Sequence, residues 1–294
     1  MKTRIATAIA IAATGILALA GPNARAALVA HYSFESDALT DETGNNNGNS
    51  ANGTVDLVTS TAPVPGGSSQ AVRFNLNNSG TIVEDVSYID LPEGDAAEPD
   101  TDLFIDGSYT IATWLNVVQR SGDGTTSGAA AGIVGNYAAG SPYNHNYLLR
   151  VFTEDHPNAN KIGFIARDDS GDTVSLQDST APTLNTWYHY AVTFNSTDGS
   201  TIMYRDGVQV ATDTLENFDG FDSSGLAAVL GYDDDPLTAS DNGFNGLLDD
   251  VRIYDEALSQ SEIQALTIPE PSALALLLLG GVAALGRRRV RGRA

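Results

Sequence analysis

Between Leu28 and Tyr254, short runs of alternating hydrophobic and polar positions are separated by clusters of Gly, Asn, Asp and Ser. A period of two, in runs rich in β-branched and aromatic residues, predicts strands with one buried side. The runs LVAHYSF (28–34), SYTIATWLNV (108–117), NYLLRVF (146–152), KIGFIAR (161–167), WYHYAVTF (187–194), TIMYRDGVQVATDT (201–214) and LAAVLGY (226–232) all fit that description. In the sixth, Asp206-Gly207 predicts a tight hairpin, because both central positions of that turn need positive φ. The turn accounts for the tripeptide Arg205-Asp206-Gly207 without any adhesive role. A helix is predicted once, over Ser259–Leu266, where Ser259 and Glu262 make a capping box and Leu258 can staple onto Ile263. TGNNNGNSANGT (43–54) is poor in apolar residues and predicts a long loop. Many strands, short turns and one terminal helix predict an all-β, two-sheet antiparallel sandwich over residues 27–266.

The two ends follow other patterns. Lys2 and Arg4 precede an apolar, alanine-rich stretch from Ile5 to Ala20, and Ala24-Arg25-Ala26 supplies a small-x-small cleavage pattern. Residues 1–26 therefore predict a secretory signal peptide. Residues 269–294 open with Pro269-Glu270-Pro271, continue as an apolar run of 14 residues from Ala273 to Gly286, and finish with five arginines from Arg287 to Arg293. The run is shorter than the ~17–25 residues of a stable spanning helix. It is apolar all round and ends in arginines, which does not suit a core helix. A short apolar C-terminal helix with transient inner-membrane contact is predicted instead, its arginines on the cytoplasmic side.

Charge separates the middle from the ends. The chain has 15 basic and 37 acidic residues, a net −22. Residues 27–268 hold seven of the basic and 36 of the acidic ones, a net −29. Such a surface repels nucleic acid and favours solubility and cations. There is no cysteine, so disulfides and thiolate metal sites are excluded.

One acidic residue falls in an apolar pattern. In FNGLLDDVRIYDEAL (244–258), strict alternation places Leu247, Asp249, Val251 and Ile253 on one face and Leu248, Asp250, Arg252 and Tyr254 on the other. Asp249 is then a carboxylate turned toward the core, which needs a cation or a set of backbone donors. Ca²⁺, which takes carboxylate and carbonyl oxygens, is one partner; loop amides at the strand end are the other.

The segment FNGLLDDVRIYDEALSQSEIQAL resembles the closing segment of laminin-G-like, concanavalin A-like jelly-roll domains. LVAHYSFE, DETGNNNGN (41–49), SYTIATWLN, WYHYAVTF and YRDGVQVA match in order, so the resemblance covers about residues 28–266. It implies a jelly roll of two curved antiparallel sheets, a carbohydrate- or protein-binding role, and one structural Ca²⁺. Its metal motif falls on Asp41, Thr43, Gly44 and Asn45, and its strand aspartate on Asp249. The tail, IPEPSALALLLLGG followed by the arginine cluster, resembles the PEP-CTERM sorting signal. That resemblance implies an exosortase as processing partner, recognition at Pro269, Glu270 and Pro271, and delivery to the surface or extracellular matrix of a Gram-negative-type bacterium.

Glucanases share this sandwich and place paired carboxylates on a strand. Glu93, Asp95 and Glu98 have the spacing, but Pro92, Gly94 and Pro99 make PEGDAAEPD a loop. The four histidines form no zinc pattern; His31 and His189 fall in strands and are expected to be packed. RDDSGD (167–172) and YDDDP (232–236) lack the spacing of a calcium loop and predict solvated turns. Trp114 and Trp187 fit core positions, leaving Tyr137, Tyr143 and Tyr147 as the expected ligand surface. The reading is a non-catalytic module that binds extracellular polysaccharide or another matrix component. An acidic structural matrix protein without a ligand, and a polysaccharide-degrading enzyme, are the alternatives. If the tail directs processing, intact-mass analysis of protein recovered from the host surface should show loss of everything after about Pro271. A mature form that keeps Arg287 to Arg293 would identify a permanent anchor instead.

Overall fold

The alternation along the chain is realised in a computed structural model as two antiparallel sheets. The structure describes residues 26–74, 87–92, 103–118, 130–137, 145–152, 158–221, 227–232 and 243–268. Residues 1–25 of the expected signal peptide and the expected sorting tail lie outside the described residues, as do Tyr143, Glu93, Asp95 and Glu98. No helix among the described residues is long and apolar enough to cross a membrane.

The first sheet contains β1 (Leu28–Tyr32), β3 (Val55–Thr59), β4 (Gln70–Phe74), β6 (Tyr109–Val117), β11 (Trp187–Phe194), β12 (Ser200–Arg205), β13 (Val208–Thr214) and β15 (Gly246–Tyr254). Its order is β13-β12-β11-β6-β15-β4-β3, with β1 also paired to β15. The second sheet contains β2 (Ser50–Asn52), β5 (Tyr88–Asp90), β7 (Ala130–Tyr137), β8 (His145–Phe152), β9 (Ile162–Arg167), β10 (Thr173–Gln177) and β14 (Ala227–Leu230). It runs β10-β9-β8-β7-β14-β5-β2. Together they form the two-sheet sandwich that the alternation predicts, in the jelly-roll form that the resemblance implies.

One core lies between the sheets. Ile111, Leu115, Val192 and Val251 of the first sheet meet Leu149, Phe164, Ala166 and Leu230 of the second, all buried. The outer face of the first sheet has two covers of its own. At one end, Leu258 and Ile263 lie over Ala112, Ala191, Tyr204 and Tyr254. Ile263 belongs to α1 (Gln260–Ala265), which begins with the predicted capping box. At the other end, Ala62 and Val64 cover Trp114 and Trp187. Trp114 is thus buried beneath a loop on the outer face and not between the sheets.

The Asp206-Gly207 hairpin forms as predicted, with φ of 52° and 74°. The stretch 43–54 is not wholly a loop, since β2 arises within it and pairs with β5. A three-residue edge strand has too few inward positions to leave an apolar signal. Gly231 is fixed by close approach: its φ is +88°, and a Cβ there would stand 2.4 Å from Cδ1 of the buried Phe74 ring. Gly66 has nearly the same φ of +89° but open space around it. Gly66→Ala should therefore cost only the left-handed strain, about 1–2 kcal/mol. Gly231→Ala adds an overlap within the core and should cost about 2–5 kcal/mol in denaturant titration. Equal losses at the two sites would show that Phe74 moves aside freely.

Candidate functional site

Strand β15 changes neighbours halfway along one edge. Gly246, Leu247 and Leu248 pair with Phe74, Arg73 and Val72 of β4. Val251, Arg252 and Ile253 then pair with Tyr32, His31 and Ala30 of β1. At the changeover the register against β6 slips between Asp249 and Arg252. The slip is a β-bulge, and Asp250 within it has a φ of +50°. Leu248, Val251 and Ile253 all face the sandwich core, with the two aspartates interrupting the alternation.

That interruption corrects the expected faces. Asp249 is opposite Trp114 in register, on the outer face of the sheet, and does not share the face of Val251 and Ile253. Asp250 does not lie on the side away from Asp249. It bonds His31 and Arg252, which stand on the same outer face. Both carboxylates are buried. An extra residue in the strand turns everything after it by one position, which a strict period of two cannot anticipate.

The two aspartates are held differently. Asp250 Oδ1 accepts from His31 Nε2 at 2.7 Å and from Arg252 Nε at 3.0 Å. Burial pushes its carboxyl up, but the His31 hydrogen bond and the Arg252 charge outweigh that and hold it low. Among the described residues, no cation pairs with Asp249. Its Oδ2 accepts from Ser60 Oγ at 2.5 Å and Ser68 Oγ at 2.7 Å, while Oδ1 has no hydrogen-bond partner. Burial raises its carboxyl to about 6 against the pull of the two serines. Next to it in register, the Trp114 ring meets His189 edge-on, with centroids 5.4 Å apart. Trp114 Nε1 and His189 Nδ1 are also buried without partners. Burial takes His189 down to about 4, so it is neutral at pH 7.

Ser68 draws a third acid into the site. Its Oγ lies 2.9 Å from Glu35 Oε1, 2.9 Å from the Gln70 carbonyl oxygen and 2.7 Å from Asp249 Oδ2. A hydroxyl has one proton to donate, so these three acceptors cannot all be satisfied by it. Glu35 also accepts from the backbone N–H groups of Ser69 and Gln70. Burial pushes Glu35 up, and the bonds from Ser69, Ser68 and Gln70 together outweigh it and bring it down to about 2. Two carboxylates, two serine hydroxyls and a carbonyl thus converge, an all-oxygen donor set of the kind Ca²⁺ takes. Among the described residues, no three His, Asp or Glu side chains gather to hold a metal by themselves.

Asp41 is placed otherwise. Its Oδ1 accepts from the N–H groups of His31 and Thr43, and its Oδ2 from Thr43 Oγ1 and the N–H groups of Asn45 and Asn46. Burial raises its carboxyl, and these bonds bring it below its ordinary value. Asp41 orders its own loop, whereas Asp249 keeps a free oxygen and meets Glu35 across Ser68. No sequence pattern marks Glu35 as a site residue. Its one signal is position: it closely follows the first strand, on the side where β4 begins.

The expected tyrosine surface needs correction. Tyr147 is fully buried, its ring packed against Tyr109 and its hydroxyl donating to the Leu103 carbonyl at 2.9 Å. It faces inward because the tyrosine is in register with buried Asn136 of β7. The Tyr137 side chain, like Tyr143, lies outside the described residues. Asp168 of RDDSGD is not solvated either; its Oδ1 accepts from Ser170 Oγ and the N–H groups of Gly171 and Asp172. It is a turn cap. His31 and His189 are packed in strands as expected, with His189 buried.

Residues 87–264 match the Concanavalin A-like lectin/glucanases superfamily. No curated protein matches the chain in sequence. Among solved structures, the chain is similar to domain 4 of AbnA, a GH43 extracellular arabinanase from Geobacillus stearothermophilus, in complex with arabinotriose. There the identity is 22%, the TM-score 0.53, and 83% of this chain and 99% of that one are covered. It is also similar to the binding domain of Paraclostridial Mosquitocidal Protein 1, with 19% identity and a TM-score of 0.58 over 82% of this chain. The ligand binding domain of botulinum neurotoxin serotype D in complex with N-acetylneuraminic acid gives 17% identity and a TM-score of 0.52 over 82% of this chain. The chain spans about half the length of these two toxin domains, at 51% and 50%. At such identities the likeness is one of fold.

The state of Asp249 sets a pH dependence that can be measured with chelator present. Its carboxyl is raised from 3.8 to about 6, so the folded protein holds the proton more tightly than the unfolded chain. That contribution is complete below about pH 4 and is lost as pH rises through 6. Asp249→Asn keeps the shape without the charge. In EGTA it should be more stable than wild type at pH 7 by about 2–3 kcal/mol, and equal to it near pH 4. His189 titrates in both proteins and cancels from the comparison. Parallel pH profiles from urea titration would show that the Asp249 charge is already compensated.

Proposed function

Because the chain belongs to the Concanavalin A-like lectin/glucanases superfamily, we propose that it is a non-catalytic glycan-binding module of an exported bacterial surface or matrix protein. The observation that carries this reading is the sandwich itself, shared with domains whose structures hold arabinotriose and N-acetylneuraminic acid. A glycosidase needs two carboxyl groups flanking a bond in an open site. Asp249 and Asp250 are instead buried among serine, histidine and arginine partners beneath the outer-face loop. The remaining acidic candidates, Glu93, Asp95 and Glu98, stand in a proline-bounded stretch of sequence.

A structural Ca²⁺ belongs to the same reading. Glu35, Asp249, Ser60, Ser68 and the Gln70 carbonyl would hold it, with Asp41 ordering the neighbouring loop. The ion would supply the positive charge that the Asp249 carboxylate lacks. Export through the signal peptide and sorting by an exosortase at Pro269-Glu270-Pro271 complete the proposal. Its support is the order of elements at the two chain ends.

A glycan array probed with the mature protein, in calcium and in EGTA, tests the module. Binding to at least one polysaccharide is expected, with no reducing ends released on incubation. Calcium at ~100 times its Kd should raise the unfolding free energy of wild type by about 2.7 kcal/mol and leave Asp249→Asn unchanged. Failure to bind any glycan would remove the module reading, and release of reducing ends would replace it with an enzyme. Identical melting in calcium and EGTA would remove the ion.

A further inference from the structure

The second sheet has an outer face too, and it lies on the far side of the sandwich from Asp249. Ile89, Ala228 and Leu230 point into the core, so their neighbours Tyr88, Asp90 and Val229 point outward. Register then sets a row across the sheet. Asp90 stands between Ser50 and Val229, and the row continues through Gly135 and Leu148 to Ile165. Val229, Leu148 and Ile165 form a small apolar cluster separate from the main core. Leu148 and Val229 are buried, whereas Ser50, Tyr88 and Asp90 are partly exposed, so the accessible part of the row is its β2–β5 end.

The β2–β5 side of this row combines two unusual features. The Tyr88 ring is stacked on Tyr232, with centroids 5.5 Å apart and planes inclined by 24°. Two steps along the strand, Asp90 is half-buried, and among the described residues no hydrogen-bond donor or cation meets its carboxylate. Burial alone raises its pKa. Every other half-buried or buried acid described above is met by hydroxyls, backbone N–H groups, histidine or arginine. A carboxylate partly removed from water without a donor is destabilised, and a ligand that brings O–H groups relieves it. A flat aromatic stack next to it suits the C–H face of a sugar ring, an apolar surface with a few fixed polar groups around it.

Charge selects among sugars. The chain carries a net −22, and Asp90 itself would face any bound group. Uronates, sulfates and sialic acids are repelled on both counts. We propose that the outer face of the second sheet at Tyr88, Asp90 and Ser50 binds a neutral polysaccharide, Asp90 accepting hydrogen bonds from sugar hydroxyls and Tyr88 stacking on a ring. This inference rests on the glycan-binding reading and adds the place and the charge class.

Affinity electrophoresis of the mature protein through gels containing linear arabinan, dextran, mixed-linkage β-glucan or alginate tests it. At least one of the three neutral polymers should retard wild type, and alginate should not. Asp90→Asn, which preserves shape, should weaken the retardation constant about tenfold, the effect of losing hydrogen bonds to a charged acceptor. Tyr88→Ala should weaken it similarly, while Tyr88→Phe keeps most of the binding. If Tyr88→Ala unfolds, Asp90→Asn and Tyr88→Phe decide the matter. Retardation of wild type and Asp90→Asn alike would overturn this site and leave the glycan-binding reading standing. Retardation by alginate alone would overturn the neutral class. No retardation in any gel would overturn both.

Discussion

A central strand must have both of its edges hydrogen-bonded, because unpaired backbone N–H and C=O groups cannot be left in a dry sheet. In β15 one edge meets this demand with a single partner, β6, and the other with two, β4 and then β1. No side-by-side ladder can pass smoothly from one strand to another, so a break falls at Asp249 and Asp250. The bulge, the left-handed backbone of Asp250 and the two carboxylates on one face all follow from that break. So does the convergence of Glu35, Ser68 and Gln70, which lie where β1 ends and β4 begins. The chemistry at Asp249 is therefore a product of topology.

The break also separates two kinds of buried acid. Asp250 has the permanent positive charge of Arg252 and a hydrogen bond to His31, and its own charge is compensated within the fold. Asp249, one residue away, has only neutral hydroxyls on one oxygen and nothing on the other. The difference is local, yet it makes one aspartate a fixed structural element and the other responsive to solution conditions. Asp41 belongs with the first kind, though its partners are backbone N–H groups and a threonine hydroxyl.

Most of the fold could be read from alternation, because strands such as β6, β9 and β11 have a strict apolar side. Six of the strands lie outside the predicted runs. β3, β4 and β10 are only five residues long. β10 does alternate, with buried Val174 and Leu176 between exposed Thr173 and Ser175, but too briefly to stand out. β7 reads AAGIVGNY, and its glycines and alanines resemble a loop until the bulky side chains of β8 are set against them. β2 and β5 are only three residues long. At the site, the burial of Asp249 was legible but its face was not, since a bulge is set by neighbouring strands and leaves no periodic trace. Glu35 was hidden for a related reason: what matters is its meeting with residues 33 and more positions away, which no local pattern records. Tyr147 misled because an aromatic among Asn, Gly and Pro resembles an exposed one until its register is known.

The pairing of β1 with β15 has a consequence in time. Leu28 lies opposite Tyr254, so the first strand of the domain finds its place only beside the last. A chain emerging from the N-terminal end cannot finish the first sheet until nearly all of it is available. Contacts so distant in sequence make for slow folding, since a long loop must be closed before they contribute anything. Until then β6 lacks the neighbour that will cover one of its edges. Such a chain stays open to unfolding machinery, and to passage through narrow channels, for almost the whole of its synthesis.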